Sequence, residues 1–264
     1  MGIEIVEEGA MVQRRAVLFW LALTLTGNSS TIFACVCDRM PTVLEEFDRA
    51  DLVVIAKAVS IWKPFIGMQS AIMVVEKVYK GNIGVGDELE FNQTAPSDCT
   101  YRFFEKDIGN QYLFYLRKPT KENPLYNAGV CGRHKDIREA VDDLLYLDNL
   151  DRVSGKNRIS GTLRVGTGES VSLAGRKIKI LQNDKVWEIA TNKEGVYEIY
   201  DLPAGEYLIE PEIPEGWKIS TYNIHKYGVS FSGDGDEDIN VRTGKIPIIL
   251  EKGKHAGLDI IFEH

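Results

Sequence analysis

Apolar and polar positions along this chain fall into four stretches with different rhythms. The first is the apolar run 16–26 (AVLFWLALTLT), preceded by Arg14 and Arg15, followed by the polar residues 27–31 and closed by the small residue Ala34. Basic, then apolar, then small is the layout of a secretory signal. The run is about half of the roughly 20 residues that a membrane span needs. A signal peptide over residues 1–34 is therefore expected. Residues 1–10 contain Glu4, Glu7 and Glu8, which suit no signal n-region, so Met11 is a candidate start and 1–10 a start-site extension.

The second stretch is rich in β-formers. Residues 52–61 (LVVIAKAVSI), 71–79 (AIMVVEKVY), 88–91 and 111–116 (QYLFYL) read as strands, with a turn at Lys80-Gly81-Asn82. Ile137, Val141, Leu144, Leu145 and Leu147 then recur at helical spacing and predict a helix over 137–150. Strands followed by one helix predict a small closed or partly open β-barrel over residues 35–150. Residues 151–157 are polar, contain Ser154-Gly155, and are the expected linker. The remainder, 158–264, carries only short strand signals, at 158–165, 176–182, 186–191, 195–200, 205–210, 246–250 and 257–262. Turn residues between them, with no helical period, predict an antiparallel sandwich. The expected fold class is mainly β.

Composition changes this picture little: the chain is 44% hydrophobic and 27% charged, with a formal net charge of −8. No basic stripe is available, so no nucleic-acid partner is expected. No second apolar stretch is long enough to span a bilayer. Four cysteines, Cys35, Cys37, Cys99 and Cys131, all lie in the first half. An even count in an exported chain favours two disulfides. Cys35 and Cys37 stand two apart, which on an extended segment separates their Cα atoms by about 6.6–7 Å, near the outer limit for a bridge. Two connectivities remain, and both tether Cys35-Val36-Cys37 to Cys99 and Cys131. A zinc site made of the four sulfurs is the rival, although the spacing lacks a C-x-x-C knuckle.

Other candidate chemistry is sparse. Asp234-Gly-Asp236-Glu-Asp238 opens like a calcium loop but has no Glu at the closing position, so a solvated turn is expected. Asn92-Gln-Thr94 is a glycosylation sequon. His134, His225, His255 and His264 show no ligand or catalytic spacing and are expected at the surface. No GxSxG, P-loop, HExxH or dinucleotide fingerprint occurs. No catalytic residue, intrinsic metal or cofactor is expected, and the chain does not read as an enzyme.

Cys-x-Cys after the signal, Phe47-x-x-Ala50-Asp51-Leu-Val-Val-Ile-Ala-Lys57, Val78-Tyr79-Lys80-Gly81, then Cys99, Gln111-Tyr-Leu-Phe114 and Cys131 form an ordered set. With it, residues 35–150 resemble the amino-terminal OB-fold domain of the tissue inhibitors of metalloproteinases, shared with netrin-type modules. The resemblance implies bridges Cys35–Cys99 and Cys37–Cys131. Asp48 stands where the family's third bridge in this domain would begin, and the family's cysteine-rich second domain is absent. In its place, residues 158–264 resemble a carboxypeptidase-regulatory or Cna-B-type, prealbumin-like sandwich. The matching residues are Ile159-Ser-Gly161, Leu173-Ala-Gly175, Ile178-x-Ile180, Gly195-x-Tyr197, Asp201-Leu-Pro-Ala-Gly205-x-Tyr207 and Pro214-x-Gly-Trp217. Gly195 and Gly205 are expected to turn hairpins, with Tyr197, Leu202 and Tyr207 facing a core.

The first resemblance implies a secreted inhibitor of zinc metalloendopeptidases. The α-amine and carbonyl of Cys35 would chelate the partner's catalytic zinc, Val36 would enter its primed-side pocket, and Cys37 would anchor the terminus. Chelation would displace the zinc-bound water that acts as nucleophile. Asp38 and Arg39 replace the small apolar and proline residues usual after the second cysteine. The reading from a different class is a non-inhibitory extracellular or cell-surface binding or scaffold module, in which Cys-x-Cys only staples the first strand. A lipid-anchored envelope protein, acylated on the Cys35 sulfur, is the third; it would leave three cysteines unpaired. All three place the mature chain outside the cell or in the cell envelope, periplasm included.

Overall fold

A computed structural model of the chain describes residue 37 and residues 40–65, 68–93, 99–167, 169–226, 229–234 and 243–264. The expected signal peptide, Cys35 and Val36 lie outside them, as do Thr94 of the sequon and most of the acidic stretch 234–238. Residues 36–264 belong to one compact unit. The protein is mainly β.

The first helix among the described residues, α1 (Val43–Arg49), starts where Thr42 Oγ1 accepts from the Glu45 N–H at 3.2 Å, satisfying one of the orphan donors of a helix start. Glu45 is fully buried and pairs with Arg49 one turn later at 2.6 Å. Strands β1 (Leu52–Phe65) and β2 (Met68–Lys80) make a long hairpin, joined by β3 (Glu88–Asn92), β4 (Gln111–Leu116) and β5 (Lys135–Asp136). The antiparallel order is β3-β2-β1-β4-β5. The chain between 126 and 136 touches both edges of this sheet. Tyr126 bridges Phe91 of β3 in parallel, and β5 pairs with β4. Those contacts curl the sheet into a partly open, OB-type barrel.

The continuous apolar runs have a physical reason. Leu52, Val54, Ala56 and Ala58 of β1 face the barrel core with Met73, Leu89, Phe91, Phe103 and Phe114. Val53 and Ile55 face the opposite way, against Val43, Tyr146 and Leu147 under the helices. A strand covered on both faces loses its alternation.

The helical spacing seen over 137–150 is realised in pieces: a 3-10 turn (Ile137–Glu139), α2 (Val141–Leu147) and α3 (Leu150–Val153). Leu144 and Leu145 are only half-buried, while Asp143, Tyr146 and Leu147 are buried. Residues 151–157 are tied down rather than slack. Val153 is buried, the Asn157 side chain donates to Leu202 O at 2.7 Å, and Lys156 pairs with Asp201 at 2.8 Å.

The second half contains β6 (Arg158–Thr167), β7 (Glu169–Ser172), β8 (Lys177–Gln182), β9 (Lys185–Ala190), β10 (Val196–Tyr200), β11 (Gly205–Pro211), β12 (Lys218–Lys226), β13 (Val229–Asp234), β14 (Ile246–Leu250) and β15 (His255–Glu263). One sheet runs β10-β6-β15-β12-β13 with β7 beside β6, and the other runs β14-β11-β8-β9. Every named pair is antiparallel except β6 with β15. Ile159, Leu163, Ile178, Ile180, Tyr197, Tyr207, Ile209, Leu258 and Phe262 fill the space between the sheets. Gly195 takes φ +75° at the turn before β10, where the Asn192 carboxamide accepts from the N–H groups of Glu194 and Val196. Three strands, β7, β12 and β13, go beyond the sequence signals. In β12 a register shift between Ile219 and Thr221 breaks the period-two pattern of Ile219, Tyr222 and Ile224.

Candidate functional site

Of the sequence-derived site residues, Cys37, Cys99 and Cys131 can be placed. Cys37 and Cys131 form a disulfide with Cα atoms 5.3 Å apart, closing a separation of 94 residues. On the loop-entropy account such a closure contributes about 4–5 kcal/mol. Cys99 is disulfide-bonded too; Cys35, its partner by resemblance, lies outside the described residues. Sulfurs joined in a disulfide do not ligate zinc, so the tetracysteine zinc site is set aside. Among the described residues no group of three or more His, Cys, Asp or Glu could hold a metal ion.

A second clamp holds the chain just after Cys37. The Arg133 guanidinium, two residues past Cys131, donates from Nη1 to Pro41 O at 3.0 Å. Its other donors go to neighbouring carboxylates of α2: Nε to Asp143 Oδ1 at 2.7 Å, Nη2 to Asp143 Oδ2 at 2.8 Å and to Asp142 Oδ2 at 3.2 Å. Asp143 also accepts from Tyr115 Oη at 2.8 Å and pairs with Lys135 at 3.1 Å. Burial opposes the Asp143 charge, but Arg133 and Lys135 outweigh it and hold the carboxyl well below its usual range. With four donors on its two oxygens, Asp143 is saturated and available neither as a base nor as a ligand.

Asp142 carries the network across to the other module. Its Oδ2 receives Arg133 and its Oδ1 receives Arg158 Nη2, from β6, at 2.7 Å. Arg158 is 1% exposed. It also pairs with Glu198 of β10 at 2.8 Å, and Tyr200 Oη donates to that carboxylate at 2.7 Å. The guanidinium lies between the rings of Tyr146 and Tyr200, 5.7 and 5.6 Å from their centroids. Three cations, of which Arg133 and Arg158 are buried, thus meet three carboxylates, and the cluster is close to neutral.

Two histidines overturn the expectation of surface placement. His134 is half-buried, its ring tilted against Phe114 with centroids 6.1 Å apart, and it accepts from the Tyr115 N–H through Nδ1 at 3.2 Å; desolvation pushes its pKa down to about 4. His255, at the start of β15, is 3% exposed and meets Tyr146 of α2 edge-on at 4.8 Å. Its Nδ1 has no hydrogen-bond partner. Burial, reinforced by Arg158 and Arg133, drives its pKa well below the usual value. Both sites were invisible as sequence because tertiary neighbours bury them. His264 packs edge-on against Trp217, and the His225 side chain lies outside the described residues.

Beside the cluster is a cavity of about 330 Å³, bounded by Met40, Thr42 and Glu139 on one side and Ser160, Thr162 and Asp259 on the other. Its deep cations, Arg133, Lys135 and Arg158, are already committed to internal carboxylates. The cluster and cavity lie where the barrel meets the outer face of β10-β6-β15. The sequence reading missed all of Arg133, Asp142, Asp143, Arg158 and Glu198. Its one available signal was the acidic pair Asp142-Asp143 inside an apolar helical period.

No protein-family model and no curated protein matches the chain. Among solved structures, a minor pilin of Streptococcus agalactiae aligns over 87% of this chain and 92% of its own, at 11% identity and a TM-score of 0.28. A major pilin of Streptococcus pyogenes aligns over 81% and 88%, at 10% identity and a TM-score of 0.19. Similarity at that level carries no argument about function.

Proposed function

We propose that this chain is a non-catalytic scaffold or binding module of the cell exterior or envelope, built as two β modules locked into one body. The observation that carries the reading is the relay Arg133–Asp142–Arg158, with both arginines buried, which ties the barrel to the sandwich where a polar linker was expected. A flexible tether needs no such relay, because the desolvation of buried charges is repaid only by fixed geometry. The arginines and carboxylates of the relay are saturated by one another, which suits a structural junction better than a site of proton transfer. Export follows from the signal-like segment, and disulfides belong to an oxidising compartment. No described helix is long and apolar enough to cross a membrane.

Metalloprotease inhibition by the Cys35 amine and carbonyl is the second reading. The Cys37–Cys131 staple favours it, since the residues that follow a chelating terminus would be held in place. One comparison separates the two. Mature protein beginning at Cys35 is assayed against a panel of zinc endopeptidases beside a form with one additional amino-terminal Ala. The scaffold reading expects no inhibition by either form. Inhibition by the mature form that disappears on extension supports chelation and overturns the scaffold reading.

A further inference from the structure

At the barrel–sandwich junction Nδ1 of His255 is buried without a hydrogen-bond partner. His255 opens β15, pairs in register with Arg158 of β6, and presses its ring edge-on to Tyr146 of α2 across the junction. The charges that bear on the imidazole are those of Arg158 and Arg133; Glu139, Glu194 and Asp259 line the same cavity as His255, and Asp48 of α1 bears on Tyr146. Arg158 is held by Asp142 and Glu198, and Arg133 by Asp142 and Asp143. Lys135 completes the ring around Asp143. Helix α1 also packs against β15. Its Glu45 is held by Arg49, and its Glu46 lies in the field of Arg133. No carboxylate bonds Nδ1 of the imidazole. A proton on His255, which is only 3% exposed, would add a third positive charge beside two arginines.

We propose that His255 is an acid sensor of the junction, and that its protonation loosens the contact between the barrel and sheet β10-β6-β15 so that the two modules move apart. The direction follows from linkage. The closed junction holds the imidazole neutral, whereas the open junction exposes it to water, where it titrates near pH 6.5. The open form therefore binds the additional proton, and the closed form loses ground as pH falls below about 6.5. Between pH 7.5 and pH 5.0 the open-to-closed ratio rises by about 30-fold for one such group. Acidified compartments and acidic surfaces are where this device would act.

The inference rests on the locked junction proposed above, and its test tells the two apart. Amide hydrogen exchange of the mature, disulfide-intact chain is followed at pH 7.5 and pH 5.0, corrected for intrinsic rates. Protection of α2 is expected to fall about 30-fold at pH 5.0, while the β1–β2 hairpin core changes little. His255→Phe keeps an edge contact with Tyr146 and removes the titration, so its α2 protection should be the same at both pH values. Wild-type protection that does not change, or a variant that loses as much as wild type, overturns the sensor. Absence of α2 protection at both pH values overturns the lock itself, and the sensor with it. Should His255→Phe fail to fold, the His255 Cε1–H resonance of the wild type decides. An apparent pKa below 6 supports the sensor, and one of 6 or higher overturns it.

Discussion

At the scale of single residues, His134 links local geometry to a measurable pH dependence. Its Nδ1 accepts from the Tyr115 N–H, so the ring must be neutral, and burial pushes its pKa down to about 4. The unfolded chain takes up the proton near pH 6.5. Stability is thus fully present above that value and declines as pH falls toward 4, by about 3 kcal/mol in all. Urea unfolding monitored at pH 7 and pH 4.5 checks this. His134→Phe should lose about 1–3 kcal/mol at pH 7, through the orphaned Tyr115 N–H, and show a smaller acid dependence. An unchanged acid dependence in the variant would assign the effect elsewhere. Neither the half-burial of this histidine nor the full burial of His255 was legible, because a histidine carries no mark of its tertiary surroundings. By contrast Tyr197, Leu202 and Tyr207 were legible, since turn glycines and strand alternation fix which way they face.

At the scale of elements, legibility followed coverage. Strands 111–116 and 246–250 matched the observed bounds, because dense β-formers between turn residues leave no competing period. Strand β12 was missed because its register shift splits the apolar alternation. The apolar stripe of helix α2 was only part of its buried face: Leu147 is in the core, with Ile137 and Leu144 packed against it. Beside Leu147 the structure also buries Asp143 and Tyr146, which meet Arg133, Tyr115 and Arg158. That arrangement makes a strong prediction. Asp143→Asn leaves Arg133 and Lys135 without their main counter-charge and should cost about 3–5 kcal/mol, measured by chemical denaturation at pH 7. Because the folded-state pKa of Asp143 is depressed, its contribution is present above the unfolded value near 3.9 and is lost as pH falls below it. The difference between wild type and variant should therefore narrow in strong acid.

At the scale of the whole molecule, sequence patterns separated a barrel-like half from a sandwich-like half but gave no hint of how firmly they join. The joining residues are scattered over β4, β5, α2, β6, β10 and β15, and a network assembled from six elements has no linear signature. The Cys35-Val36-Cys37 terminus, by contrast, was conspicuous in the sequence; of it, the structure shows the Cys37–Cys131 staple. The central claim is that barrel and sandwich move as one body at neutral pH. Spin labels at Val85→Cys in the barrel and Val186→Cys in the sandwich, both well exposed, report on it directly through their pulsed dipolar distance distribution at pH 7.5. A single narrow distribution is the predicted result, and a broad or multi-peaked one would contradict the account.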